Sequence, residues 1–300
     1  MRQKFQKVLN RYTQKELNEK FWHEKNSLFF VDKLETLPAP NGEEHNLNLT
    51  YAVRDGIVLH CGEIDENNLK PRNDVIDLEN IKNENAYSPY TWEGCVVKIS
   101  DKIAYLGRDI EDAITLRVLP PKKLKELKKI IKEHIQYDFG LEEINNTVLM
   151  HDFVVDLCAQ SNLDDGIKLS DKFLQLLNSI KEFNYENIYL NARLGYFKSY
   201  AKLVIESIYD ALINVYNSKK TIERVRNIYK RDYPSLIGTF PEWLIKYSNI
   251  DELQRKNKKY KNDMIYDISN QKDYSRAIIH YISGMTDIFA IKVFKELTSF

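Results

Sequence analysis

The sequence predicts an all-α protein. Three observations carry that reading. Only 10 glycines and 8 prolines occur in 300 residues, below the roughly 7 % and 5 % of an average chain, so few breakers interrupt regular structure. Apolar residues recur at helical spacing over long stretches. The breaks between those stretches are short and carry Pro, Gly or Asp. The apolar fraction of 43 % against 29 % charged residues is that of a folded chain rather than a disordered one. At this length a sizeable core can be buried.

Taken in order, residues 1–37 read as helix with an interruption near 13–15, carried by Val8, Leu9, Tyr12, Leu17, Phe21, Leu28, Phe29, Val31 and Leu34. Pro38 to Gly42 is a loop. Leu47 to His60 is helical, with Asn48 or Thr50 as its cap. Residues 61–90 are polar and mixed, consistent with short helices and loops. A strong helix spans Thr91 to Thr115, and Pro120-Pro121 breaks it. A Lys-rich amphipathic helix follows over 122–137; its charged side reads first as a solvated face and only second as an anion-binding patch. Further helices are expected over 141–160, 170–182, 185–217, 219–230 and 241–247, and a last one from Gln271 to Leu297. Asp164-Asp165-Gly166 and Tyr233-Pro234 mark two breaks.

Composition also bounds function. The 44 basic and 44 acidic side chains cancel, so neither nucleic acid nor an anionic membrane is indicated as partner. No apolar run reaches the roughly 18 residues of a membrane span, and the basic N-terminus has no apolar segment of a secretory signal. A cytoplasmic location is the expectation. Cys61, Cys95 and Cys158 are odd in number and widely spaced, which points to reduced thiols rather than a disulfide framework.

The most informative stretch is Trp92 to Ala113. On a helical wheel with Asp101 at the origin, Tyr105 falls at about 40°, Asp109 at about 80°, Asp112 at about 20° and Arg108 at about 340°. Ile99, Ile103, Leu106, Ile110 and Ala113 fall at about 120–200°. One face is apolar; the other gathers three carboxylates, a phenol and a guanidinium. A wet amphipathic face is the simple account. Against it, three Asp on one stripe repel unless something positive lies among them, and a metal ion or nucleotide would relieve that charge.

Asp101-Lys-x-x-Tyr-x-x-Arg-Asp109 resembles the last motif of the HD-superfamily dNTP triphosphohydrolases, the deoxyguanosine triphosphate triphosphohydrolase (dGTPase) family. Three further stretches are similar to segments of that family in the same order: Phe21-Trp-His-Glu-Lys-Asn-Ser-Leu28, Asn48 to Glu63, and Tyr281-Ile-Ser-Gly-Met-Thr-Asp287. The resemblance implies an HD-superfamily-like helical bundle remnant over 1–120, with the family's first His and adjacent His-Asp pair absent, and a C-terminal helical domain over 121–300. It implies Asp101 as the last ligand of a divalent metal (Mn, Mg, Fe or Zn), Lys102 at the triphosphate, Tyr105 and Asp109 at the deoxyribose end and its phosphates, and His23 as a catalytic histidine. It implies a deoxynucleoside triphosphate as substrate, split into deoxynucleoside and tripolyphosphate, and a homo-oligomer. With a single metal ligand left, the expectation is a chain inactive on its own; a catalytically silent nucleotide-binding or regulatory relative is the alternative, and a helical oligomerisation module a third reading. His151-Asp152 lies after Asp101, the wrong order for the family motif, and reads as structural. His45 and His60 have no partner at metal-ligand spacing. The tyrosines 185, 189, 196, 200, 209 and 216 read as core or as an interface.

Overall fold

The computed structural model describes residues 8–61, 67–81, 87–134, 146–229 and 233–299. The chain divides into two compact units, residues 50–196 and the two flanking parts, 1–49 with 197–300.

The flanking unit opens with helical residues 8–12, which run into a π-turn, Thr13–Leu17, ended by Asn18 at φ 58°. Helix α1 (His23–Phe29) follows and closes in a second π-turn, Phe30–Leu34. The expected helix to residue 37 is therefore interrupted at Thr13–Leu17, where the interruption near 13–15 was expected, and a second time at Phe30–Leu34, where none was. Its last residues instead form strand β1 (Thr36–Pro38), paired antiparallel with β2 (Glu44–Asn46). Pro38 to Gly42 makes the turn, with Gly42 at φ 78°.

The central unit comprises α2 (Tyr51–Leu59), α3 (Trp92–Thr115), α4 (Pro121–His134), α5 (Asn146–Gln160) and α6 (Asp171–Asn184), followed by a π-turn, Tyr185–Tyr189. Pro120-Pro121, the expected domain boundary, lies inside this unit, where Pro121 starts α4. The apolar face of α3 (Ile103, Leu106, Ile110, Ala113) packs with Leu127 and Ile131 of α4, Leu149 and Phe153 of α5, and Leu176 and Ile180 of α6. Gly107 permits the close approach of α5: a Cβ there would lie 1.7 Å from Oδ1 of Asn146. Asn184 donates to the Leu106 carbonyl at 3.1 Å, tying the end of α6 to the same helix. The Asp164-Asp165-Gly166 break is a tight turn that needs Gly166, at φ 95°, because a Cβ would press on the Leu69 carbonyl at 2.8 Å.

The remainder of the flanking unit is α7 (Arg193–Asn214), α8 (Thr221–Ile228), α9 (Pro234–Tyr247), α10 (Glu252–Asn257), α11 (Gln271–Ser283) and α12 (Asp287–Thr298). The expected single helix over 185–217 is broken at 190–192. The expected helix over 271–297 is two helices bent by 118°. Gly284 caps the first, and the Thr286 hydroxyl accepts from the Phe289 N–H to start the second. The core of this unit joins Ile205, Ile208, Phe240, Leu244, Tyr274 and Ile278, among others. An open cavity of about 750 Å³ is lined by Phe30, Trp243, Lys246, Tyr247, Tyr281 and Phe289 among others; none of the sequence-predicted site residues lines it. No single described helix is long and apolar enough to cross a membrane. Expectations for residues 1–7, parts of 61–90, 135–137, 141–145 and 230 fall outside the described residues.

Candidate functional site

Helix α3 positions four of the five sequence-predicted residues. Thr91 starts it: its hydroxyl accepts from the Gly94 N–H at 3.1 Å, a side-chain N-cap. Thr91→Ala should cost about 1 kcal/mol in chemical denaturation; Thr91→Ser should restore most of it. From that start the helix runs unbroken, so Asp101, Tyr105, Asp109 and Asp112 fall on one stripe. All four are half-buried, while Ile103, Leu106 and Ile110 are buried behind them. Lys102 is buried beside the stripe, as is Lys98 one turn earlier. His23, the fifth residue, is half-buried at the start of α1 in the flanking unit, next to Glu24, which is buried with Oε2 unpartnered.

The three carboxylates of the stripe have different surroundings. Asp112 faces Arg108 one turn back at 3.6 Å. Asp109 accepts a hydrogen bond from the Tyr189 hydroxyl, delivered by the π-turn after α6. Asp101 meets His60 and Cys61: one imidazole nitrogen, the thiol sulfur and a carboxylate oxygen lie within 4.8 Å of one another. All three residues are half-buried, and they are the one group of three metal-donor side chains among the described residues. His60 had no partner at ligand spacing in the sequence; packing of α2 on α3 brings Asp101 to it and to the adjacent Cys61. Tyr189 was likewise missed, since it stood in the sequence only as one member of a tyrosine series. That series splits in the fold: Tyr209 is core, Tyr216 bonds the Ile268 carbonyl at 3.0 Å, and Tyr185, Tyr196 and Tyr200 are exposed.

Contacts from the first and middle turns of α2 hold this arrangement. Asp55 is 1 % exposed and pairs with Arg72, while its Oδ1 accepts from the Tyr90 N–H at 2.7 Å. Arg72 also donates to the Tyr51 hydroxyl at 2.6 Å and the Ser88 carbonyl at 2.7 Å. The segment leading into α3 is thus pinned to α2. The three cysteines have separate environments and form no disulfide. Cys95 is fully buried, and loss of hydration pushes its thiol up to about 11, so it stays protonated. Cys158 is exposed on α5, and Cys61 is half-buried at the end of α2. On α5, His151 lies 3.1 Å from Asp152 with a side chain 70 % exposed, a surface position.

The fold and these side chains define a helical protein with an acidic helix stripe and a mixed imidazole, thiol and carboxylate group at one end of it. Comparison with curated proteins places relatives beside that class. The chain is 26 % identical over 291 residues to a deoxyguanosinetriphosphate triphosphohydrolase-like protein of Rickettsia rickettsii (strain Iowa), covering 93 % of this chain and 67 % of that protein. Proteins of the same name from Rickettsia canadensis (strain McKiel), 28 % identical over 295 residues, and Caldanaerobacter subterraneus subsp. tengcongensis, 26 % identical over 279 residues, align over 92 % of this chain. The chain spans 68 % and 58 % of their respective lengths. No family model matches. This chain is a relative of dGTPase-like proteins.

Proposed function

We propose that this chain binds deoxynucleoside triphosphates along the acidic stripe of α3 and that the 300 residues by themselves do not hydrolyse them at enzymatic rates. The relationship to proteins named dGTPase-like supports the nucleotide class. The observation that carries the second half is the donor set around Asp101. In the resembling family the metal is held by two imidazoles and two carboxylates, a nitrogen and oxygen set without sulfur that suits Mn, Mg, Fe or Zn. Here, among the described residues, Asp101 meets one imidazole and a thiol. That set does not fit the family's metal site, so no hydrolytic step is assigned through it.

The roles of the remaining residues follow from position. Tyr105, one turn from Asp101, offers a hydroxyl and a ring edge to a sugar. Asp109 accepts from Tyr189 in the free protein, and a sugar hydroxyl would exchange with the tyrosine for the same carboxylate. Lys102 supplies positive charge beside the stripe, which favours a polyphosphate. By resemblance alone His23 would correspond to the family's catalytic histidine, and an oligomer is the expected assembly.

Incubation with dGTP and Mn²⁺, followed by chromatography for tripolyphosphate, tests this. Release no faster than in buffer is expected. Multiple turnovers that vanish in Asp101→Ala would overturn the reading.

A further inference from the structure

We infer that His60, Cys61 and Asp101 form a binding site for a thiophilic divalent cation of the Zn²⁺ class, with one coordination position left open. The inference does not depend on the nucleotide reading. His60 follows directly on α2, and its Nδ1 faces the Ile57 carbonyl at 2.8 Å. A carbonyl oxygen only accepts, so Nδ1 carries the proton. Nε2 then keeps its lone pair. That lone pair faces Sγ of Cys61 at 3.0 Å. This is the arrangement of a metal-ligating histidine, whose far nitrogen is held by a backbone acceptor that fixes tautomer and ring orientation.

The third donor decides between a metal site and a hydrogen-bonded Cys–His pair. A pair needs no carboxylate; a carboxylate beside a thiolate adds like charge. Asp101 nevertheless converges on both donors within 4.8 Å. A divalent cation resolves the conflict, because it favours thiolate and carboxylate together. Tetrahedral Zn²⁺, with Zn–S of about 2.3 Å and Zn–N of about 2.0–2.1 Å, needs its S and N donors about 3.5 Å apart. The 3.0 Å contact opens by a few tenths of an ångström to admit the ion. Binding replaces the thiol proton, which leaves to solvent; nothing is oxidised or reduced. Thiolate and imidazole select Zn²⁺ or Co²⁺ over Mg²⁺ and Mn²⁺. Three protein donors leave the fourth position for water or a ligand oxygen.

The test is a titration of the full chain with Co²⁺, without nucleotide. One equivalent should produce thiolate-to-cobalt charge-transfer absorption and the visible bands of a four-coordinate ion. Zn²⁺ should displace it, and excess Mg²⁺ should not. Cys61→Ser should abolish the charge-transfer band, and Asp101→Asn should keep the band while weakening binding about tenfold or more. Cys158→Ser should change nothing. Absence of the band in the unaltered protein, its survival in Cys61→Ser, or unaltered affinity in Asp101→Asn would each overturn the inference. Far-UV circular dichroism confirms that each variant is folded, and Asp101→Asn decides the matter should Cys61→Ser unfold. Nucleotide binding is scored separately, so either reading can fail alone.

Discussion

Asp55→Ala is expected to destabilise the central unit by about 3–5 kcal/mol, because it removes one partner of a buried ion pair and strands the other. Arg72 would keep its bonds to Tyr51 and to the Ser88 and Asp74 carbonyls but lose the carboxylate that balances its charge. The Tyr90 N–H would lose its acceptor at the same time. Asp55→Asn retains an acceptor for that N–H and should cost less. The measurement is urea denaturation followed by circular dichroism; a loss below about 1 kcal/mol for Asp55→Ala would show that water replaces the carboxylate freely. The same variant carries a functional consequence. Asp55 pins α2 to the segment entering α3, and His60 and Cys61 stand at the end of α2. Its cobalt affinity should therefore fall together with its stability.

Acid should destabilise the flanking unit through His280. The ring packs at 4.3 Å on Phe29, with the Tyr266 hydroxyl 2.8 Å from Nδ1. Loss of hydration, helped by the nearby Arg276 charge, lowers its pKa from 6.5 to about 3. Above pH 6.5 both folded and unfolded chains hold the ring neutral, and nothing is lost. Between pH 6.5 and 3 the unfolded chain takes a proton that the folded chain refuses, so stability falls as acid is added. Below that range both bind it and the loss is constant. At pH 5 the loss is on the order of 2 kcal/mol relative to neutral pH. His280→Gln keeps a polar partner for Tyr266 and removes the titration. The difference between the two proteins in stability at pH 7 and pH 5 isolates the effect; equal acid sensitivity would assign the loss to other groups.

Much of the fold was legible because α3 obeys local rules. Its expected span, Thr91 to Thr115, is matched by Trp92–Thr115 with Thr91 as cap, since cap, period and the following prolines all agree. Elsewhere local signals were weaker than tertiary ones. The polar run at 13–15 marked the first π-turn, Thr13–Leu17, but the second, Phe30–Leu34, leaves apolar periodicity nearly intact, so the pattern overran it. The hairpin Thr36–Asn46 is too short for a period-2 signal, and its register is set partly by Glu44 bonding Lys246 and Thr36. The bend at Gly284 was readable from Gly284 and Thr286 as adjacent cap residues, but the apolar pattern continues across it. At the site, Asp101, Tyr105 and Asp109 were visible because one helix presents them all. His60, Cys61 and Tyr189 come from other elements, and periodicity carries no information about which helix packs on which.

The acidic stripe of α3 is proposed to receive a deoxynucleoside triphosphate. The most direct test of that claim is the thermal unfolding of the chain with and without dGTP, in the unaltered protein and in Tyr105→Phe and Asp109→Asn. Nucleotide at a hundredfold excess over its Kd should add about 2.7 kcal/mol of stability, read as a clear rise in Tm, and each substitution should cut the rise sharply. No shift at millimolar dGTP, or an identical shift in all three proteins, would contradict the claim.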